Sequence, residues 1–355
     1  MAKGNAGLRA AARAKRDEFY TRREDIEAEL RWYPRSFEGK TVLCNCDDPF
    51  RSEFFKHFVR EFDALGLARL ISTCWAGPAT GSPRAYRADV TRVPPWATRD
   101  DGDVAALLRE PGNALRELEG DGDLRSRECV AILDEADVVV TNPPFSLFRP
   151  FIATVLERRK SFLIIGNVNA VKYKEVFPSF MRGEMRLGPS IRSGDRAFHV
   201  PDDYPLEGTA CGVDAQGRKL VRVKGVRWFT DLCPAERDDE LVLTARYDPA
   251  RYPRYDNFDA IEVSRTRDIP CDWPGVMGVP ITFIDRYDPE QFELVGLAQR
   301  GAGDPSLRTK VYVKGDHPRW SDLNAGPTLV IDGELRSVYS RLLIRNRHPM
   351  ATGDA

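Results

Sequence analysis

Short apolar runs alternate with segments of helical spacing through the first half of the chain, the pattern of a parallel sheet covered by helices. Thr41 to Cys46 predicts a first strand, and Ser52 to Leu65 a helix on which Phe54, Phe55, Phe58 and Phe62 recur as a core-facing stripe. Leu70 to Cys74 predicts a second strand, Asp137 to Thr141 a central one, and Phe162 to Gly166 another, with Phe148 to Arg159 helical between the last two. Their Val and Ile runs suit strands buried on both faces. The Pro-, Gly- and Arg-rich stretch Gly77 to Pro95 reads as a loop or insertion, followed by an acidic helical segment ending near Glu119. From about Met185 the pattern turns to short strands, at Ala197–Val200, Leu220–Trp228, Ile281–Ile284 and Phe292–Leu297. The expectation is an α/β protein with a more β-rich second half and a boundary near residue 235.

Composition narrows the class without naming a function. A chain of 355 residues can bury a sizeable core, and at about 150 residues per domain it suggests two domains. Hydrophobic residues at 42% and charged residues at 30% exclude a disordered or fibrous protein. No apolar run is long enough to span a bilayer, and the basic, Ala-rich start from Met1 to Arg16 lacks the apolar core of a signal peptide, so a cytoplasmic location and no membrane partner are expected. Seven cysteines are odd in number and several sit in or beside apolar stretches, as reduced thiols do. Cys44 and Cys46 have the wrong spacing for a zinc knuckle, so no metal site is expected.

Charge alters this picture only locally. Fifty-three basic against 54 acidic residues leave a net charge of −1, so any nucleic acid would have to meet a patch. Candidates are Arg9, Arg13, Lys15, Arg16, Arg22 and Arg23, and further on Arg218, Lys219, Arg222, Lys224 and Arg227. Such runs are commonly solvated faces and serve only as support.

The chemistry concentrates in Asn142-Pro143-Pro144-Phe145, directly after the strand ending at Thr141. In an open parallel sheet ligands bind beyond the carboxyl ends of the strands. An exocyclic amine is a poor nucleophile because its lone pair is delocalised into the ring, and two acceptors aimed at its hydrogens draw it out of conjugation. The Asn142 side-chain oxygen and the Pro143 carbonyl can supply that pair. Consecutive prolines fix φ and stiffen the turn, and Phe145 offers a ring for an extruded base, a stack worth about 1 to 3 kcal/mol. The same four residues also suit a plain strand-closing turn. They do not separate adenine from cytosine, a base in RNA or a protein glutamine amide, all of which present a planar NH2. Asn167 and Asn169, after the next strand, read as turn formers.

Further stretches carry a resemblance over most of the chain. Asp17-Glu18-Phe19-Tyr20-Thr21, Val42-Leu43-Cys44-Asn45-Cys46-Asp47-Asp48-Pro49, Gly122-Asp123-Leu124-Arg125-Ser126, the segments Gly225 to Thr230 and Gly275 to Pro280, and Ile331-Asp332-Gly333 resemble the EcoRI-type adenine-specific DNA methyltransferase family. The resemblance implies a Rossmann-like fold dependent on S-adenosylmethionine, double-stranded DNA as partner, and base flipping for N6-methyladenine formation. It also implies a catalytic and cofactor-binding domain over 1–235 and a target-recognition region over 236–355. A restriction-modification system with a cognate endonuclease is the setting it suggests, with a monomer as the simplest state. An RNA or protein-amide methyltransferase, and an inactive DNA-binding protein of the same fold, are the rival readings.

The cofactor roles follow from that resemblance. One of Asp47 and Asp48, directly or through water, would hold the methionine amino group, with Asn45 hydrogen-bonding nearby; alternatively Asp48 caps the next helix, with Pro49 at its first position. Tyr20 and Thr21 would close over the methionine carboxylate, and Asp123 would accept from the cofactor's adenine amino group. Two departures stand out. Cys46 to Ser52 contains no glycine, which a phosphate-free sulfonium cofactor tolerates better than a dinucleotide would. The second strand ends in Ser72-Thr73-Cys74, with no acid for ribose hydroxyls.

Overall fold

A computed structural model describes residues 19–77, 83–99, 102–192, 194–201, 204, 206, 209–235, 240–299 and 305–351. The basic run from Arg9 to Arg16, with Asp17 and Glu18, lies outside the described residues. The chain divides into two compact units, Met1–Ala170 with Met185–Glu236, and Val171–Glu184 with Arg237–Ala355.

The first unit runs α1 (Arg23–Leu30), β1 (Thr41–Cys44), α2 (Glu53–Arg60), β2 (Arg69–Thr73), β3 (Tyr86–Val90), α3 (Val104–Leu107), β4 (Ala114–Glu117), α4 (Arg127–Glu135), β5 (Val138–Thr141), α5 (Phe148–Glu157) and β6 (Ser161–Asn167). It resumes with β7 (Arg186–Leu187), β8 (Asp195–His199), β9 (Cys211–Val213), β10 (Lys219–Lys224) and β11 (Val226–Thr230). Eight strands form one sheet in the order β4-β3-β2-β1-β5-β6-β11-β7. β2, β1, β5 and β6 are mutually parallel, while the neighbouring pairs β2-β3, β3-β4, β6-β11 and β11-β7 are each antiparallel. β8, β10 and β9 make a separate antiparallel sheet.

Burial explains the central strands. Every residue of β5 is buried, as are Val42, Leu43 and Cys44 of β1, which fits strands covered on both faces. Helix α2 starts where the Ser52 hydroxyl accepts from the Phe54 amide, and it buries Phe54, Phe55 and Phe58. Phe54 meets Trp228 of β11 edge-on, with ring centroids 5.8 Å apart. Each such ring contributes about 1.5 to 3 kcal/mol by leaving water. Gly166 of β6 is required by α5, because a Cβ there would lie 2.3 Å from the Phe148 ring.

Four expectations are corrected. The stretch read as a loop contains β3, whose Ala88 and Val90 are buried and whose charges are paired rather than solvated: Asp89 accepts from Arg69 at 2.7 Å and from Arg87 at 2.6 Å. The acidic segment after it holds only the one-turn helix α3 and the edge strand β4, which is half-buried at Ala114 and exposed at its other three residues, so polar composition masked a strand held by backbone pairing. The run from Leu220 to Trp228 is two strands in different sheets, parted at Gly225, where φ is +71°. Ile281–Arg286 is a 3-10 helix, since a short apolar run suits either form and the preceding Met277–Pro280 takes the strand position.

The second unit contains α6 (Phe177–Met181), β12 (Ile261–Glu262), β13 (Met277–Pro280), β14 (Phe292–Ala298), α7 (Trp320–Leu323), β15 (Thr328–Ile331), β16 (Glu334–Ser337) and β17 (Arg341–Asn346). Its sheet is ordered β12-β13-β17-β14, and β15 with β16 form a hairpin turning at Asp332 and Gly333, both at positive φ. Buried Glu262 is held by Tyr255 and by Arg341 at 2.7 Å. Among the described residues no helix is long and apolar enough to cross a membrane.

Candidate active site

The parallel order β2-β1-β5-β6 sends the chain from β1 to one side and from β5 to the other, so a crevice opens at the carboxyl ends of these two strands. Residues 45–48 leave β1 there and 142–145 leave β5. The two candidate segments, nearly 100 positions apart in sequence, are thereby neighbours.

Asn142 is buried and its amide is oriented. Nδ2 donates to the Phe19 carbonyl at 2.7 Å, which fixes the amide against a flip and leaves Oδ1 buried with no partner among the described residues. Pro143 is buried too, and no described residue donates to its carbonyl, whereas the Pro144 carbonyl accepts from the Leu147 amide at 2.8 Å and closes the turn. Half-buried Phe145 packs against Phe19 and Phe198, at centroid distances of 5.8 and 6.2 Å.

The segment after Phe19 is pinned by reciprocal backbone bonds between Tyr20 and His199, each 2.9 Å. Thr21 is buried and its hydroxyl has no partner among the described residues. Glu29 in α1 holds this region from the other side, accepting from the Ser190 amide at 2.9 Å and the Tyr33 hydroxyl at 2.8 Å, and burial pushes its carboxyl above the usual range.

The β1 turn is a hydroxyl-lined knot. Asn45 Oδ1 accepts from Thr73 at 2.8 Å, and Cys46 adopts φ +65°, a left-handed conformation that costs a non-glycine residue about 1 to 2 kcal/mol. Asp47 Oδ1 accepts from Ser52 at 2.8 Å, Oδ2 lies 2.7 Å from the Thr141 hydroxyl, and the Ser72 hydroxyl donates to the Asp47 carbonyl. Desolvation raises the Asp47 carboxyl to about 7. Asp48 differs: Oδ1 accepts from the Phe50 amide and the Tyr86 hydroxyl, both at 2.9 Å, while Oδ2 has only Arg51, 4.0 Å away. The helix cap is Ser52, so Asp48 closes the preceding turn instead.

Asp123 reaches the same edge of the sheet, because Gly122 lies against the Cys74 carbonyl and the Asp121 carbonyl accepts from Ala76 at 2.7 Å. Its carboxylate forms a two-point pair with Arg125, which lowers its pKa. Asn167 Oδ1 accepts from the Asn169 backbone and side chain, so these two serve a turn. Sequence reading missed Phe19, whose backbone carbonyl carries its role, and Tyr86, hidden in the supposed loop; the alternation of Tyr86, Ala88 and Val90 was the available signal. The supporting hydroxyls of Ser52, Ser72, Thr73 and Thr141 have no motif of their own.

A charged cavity of about 480 Å³ lies elsewhere in the first unit, lined by residues that include Arg23, Glu27, Glu53, Lys56 and Arg60. Those charges pair with one another and none of the candidate catalytic or cofactor residues lines it, although Arg23 and Arg218 of the basic runs do. Among the described residues no group of three or more His, Cys, Asp or Glu converges, and none of the seven cysteines forms a disulfide.

The chain is similar to known proteins over most of its length. The family described as "Adenine-specific methyltransferase EcoRI" matches residues 7–347. The type II methyltransferase M.EcoRI of Escherichia coli is 42% identical over 300 residues, 82% of this chain and 89% of that protein. M.MpnI of Mycoplasma pneumoniae is 35% identical over 95% of this chain and 97% of its own, and a type II methyltransferase of Mycoplasma genitalium is 33% identical over 95% and 98%. No solved structure matches the chain.

Proposed function

The chain belongs to the EcoRI family of adenine-specific methyltransferases, and from that premise we propose that it transfers a methyl group from S-adenosylmethionine to N6 of an adenine flipped out of duplex DNA at one specific sequence. The observation that carries this reading is the Asn142 amide, with Nδ2 committed to Phe19 and Oδ1 buried and unpartnered among the described residues. A buried acceptor left without a donor costs about 1 to 3 kcal/mol, which a substrate N–H relieves. The Pro143 carbonyl beside it supplies the second acceptor. Together they draw both amino hydrogens out of the ring plane, expose the nitrogen lone pair, and stabilise the positive charge that develops on N6. Phe145 stacks on the flipped base, offsetting an extrusion cost of a few kcal/mol, and Pro143 and Pro144 hold the turn rigid.

S-adenosylmethionine supplies an electrophilic methyl on a sulfonium. The chain's residues fit it: among the described residues Asp48 Oδ2 has no donor closer than Arg51 at 4.0 Å, the buried Thr21 hydroxyl has no partner, and no glycine cradle for phosphate follows β1. Asp48 is assigned the methionine amino group, with Asn45 beside it, and Tyr20 and Thr21 the carboxylate. Asp123 is assigned the adenine amino group through Oδ2, which keeps a lone pair beyond its single Arg125 bond, whereas Oδ1 accepts from both the Arg125 amide and Nε. The Rossmann-like description, the catalytic role of 1–235 and target recognition by 236–355 belong to the same proposal. So do a monomeric state, a cytoplasmic setting and pairing with a restriction endonuclease.

The test is incubation of the purified protein with S-adenosylmethionine and unmethylated genomic DNA, then nucleoside mass spectrometry and modification-aware sequencing. N6-methyladenine at one recurring short sequence is the expected result. N4-methylcytosine, or methyl transfer only to RNA or protein in parallel assays, overturns the substrate assignment, and no cofactor binding by calorimetry overturns the enzyme reading.

A further inference from the structure

Asp47 sits between hydroxyls in a way that constrains its proton. Thr141 Oγ1 lies 2.7 Å from Asp47 Oδ2 and also against the Asn45 carbonyl, two oxygens that are both acceptors if Asp47 is ionised. A hydroxyl carries a single hydrogen. If Thr141 donates to the Asn45 carbonyl, nothing is left to bridge the 2.7 Å to Oδ2, and two bare oxygens face each other. A proton on Oδ2 removes the conflict: Asp47 donates to Thr141, Thr141 donates to Asn45, and Ser52 donates to Oδ1 at 2.8 Å. The Asp47 carbonyl in turn receives the Ser72 hydroxyl of β2, so the knot ties three strands, and Thr141 is the residue immediately before Asn142.

We infer that Asp47 is a protonated positioning residue, which locks Thr141 at the end of β5 to the β1 turn and so aims Asn142, and that it is not an anionic ligand of the cofactor. The inference rests on the function proposed above for the meaning of Asn142. Both Asp47 oxygens are occupied, whereas Asp48, next in the chain, has one oxygen with no donor closer than Arg51 at 4.0 Å among the described residues. The electrostatic surroundings agree: burial and the like charge of Asp48 push the Asp47 proton affinity up, the Ser52 and Thr141 hydroxyls oppose this, and no cation contributes.

The experiment compares the full-length wild type with Asp47→Ala, Asp47→Asn, Thr141→Val and Asp48→Asn by three readouts: kcat for methyl transfer to DNA, Kd for S-adenosylmethionine, and the thermal midpoint. Asp47→Ala and Thr141→Val are expected to lower kcat about 10- to 100-fold, the usual effect of losing a supporting partner, while Kd moves less than about threefold. Asp47→Asn restores most of the rate lost in Asp47→Ala, because its amide donates to Thr141 and accepts from Ser52 as the protonated acid does. Asp48→Asn weakens cofactor binding at least about tenfold, the signature of a direct ligand. A Kd for Asp47→Asn as poor as that of Asp48→Asn, at an unchanged thermal midpoint, overturns the inference, as does wild-type kcat in Thr141→Val. If Asp47→Ala does not fold, Thr141→Val and Asp47→Asn still decide the matter. A wild type that neither binds the cofactor nor methylates DNA overturns the proposed function itself, before any variant is compared.

Discussion

Asn142 has a side chain whose two ends do different work. Its Nδ2 is spent on orientation through the Phe19 carbonyl, and its Oδ1 meets no donor among the described residues. Replacing it with Ala is therefore expected to lower the single-turnover rate about 100- to 1,000-fold, the range for one preorganised polar group at a developing charge, with cofactor Kd by calorimetry nearly unchanged. Equal losses in rate and cofactor affinity would sink the assignment. Asp47 gives a pH prediction. Its carboxyl rises from an ordinary 3.8 to about 7 on folding, so the native state binds this proton more tightly than the unfolded chain does. Its contribution to stability is full below pH 3.8 and is lost as pH rises toward about 7. Glu29 and Asp231, also raised by burial, slope the same way. Urea denaturation across that window should show a shallower decline in Asp47→Asn than in the wild type, a difference of a few kcal/mol at about 1.4 kcal/mol per pKa unit. Parallel profiles would mean that Asp47 titrates normally.

Two elements hold the site in place and can be tested as elements. Ser52 caps α2 and also donates to Asp47, so Ser52→Ala should cost about 1 kcal/mol for the cap and somewhat more through the orphaned carboxyl oxygen. Gly225 stands between β10 and β11 at φ +71°, where the chain leaves one sheet for another. Gly225→Ala imposes a left-handed conformation on a Cβ, at about 1 to 2 kcal/mol, and sets that Cβ 3.3 Å from the Asn167 amide. A lower urea midpoint with an unchanged slope is the expected outcome, and an unchanged midpoint would mean that the pivot relaxes. Elements read well from sequence where burial was continuous, as in β1, β5 and β6. They read poorly at the sheet edge, where β3 pairs Asp89 with Arg69 and Arg87, and β4 exposes most of its side chains. Backbone pairing with a neighbour made those strands, and hydrophobic period carries no record of it.

At the scale of the molecule, all ten candidate residues fall in the first unit. Cofactor at 100 times its Kd should stabilise that unit by about 2.7 kcal/mol, or about 5 to 11 °C at 2 to 4 °C per kcal/mol. Scanning fluorimetry with S-adenosylmethionine checks this, and the Asn142→Ala protein should shift as the wild type does. With a net charge of −1 over the whole chain, DNA affinity has to come from local cations. The slope of log K against log salt then counts them, at about 0.9 per phosphate neutralised.

The amino-acid order by itself determined the chemistry-bearing motif, its place after a buried strand, and the resemblance that named a family, because these depend on contiguous residues and local period. The family match over residues 7–347 agrees with that resemblance. Only the tertiary structure decided which partners those residues have. Phe19 and Asn142 are 123 positions apart, and Thr141 and Asp47 are 94 apart. Asp47 and Asp48 are adjacent acids with identical prospects in sequence. The fold buries both, but it bonds both carboxyl oxygens of Asp47 to the hydroxyls of Thr141 and of Ser52, the cap of α2, while Asp48 Oδ2 has Arg51 4.0 Å away and no closer donor among the described residues, and no local pattern distinguishes the two.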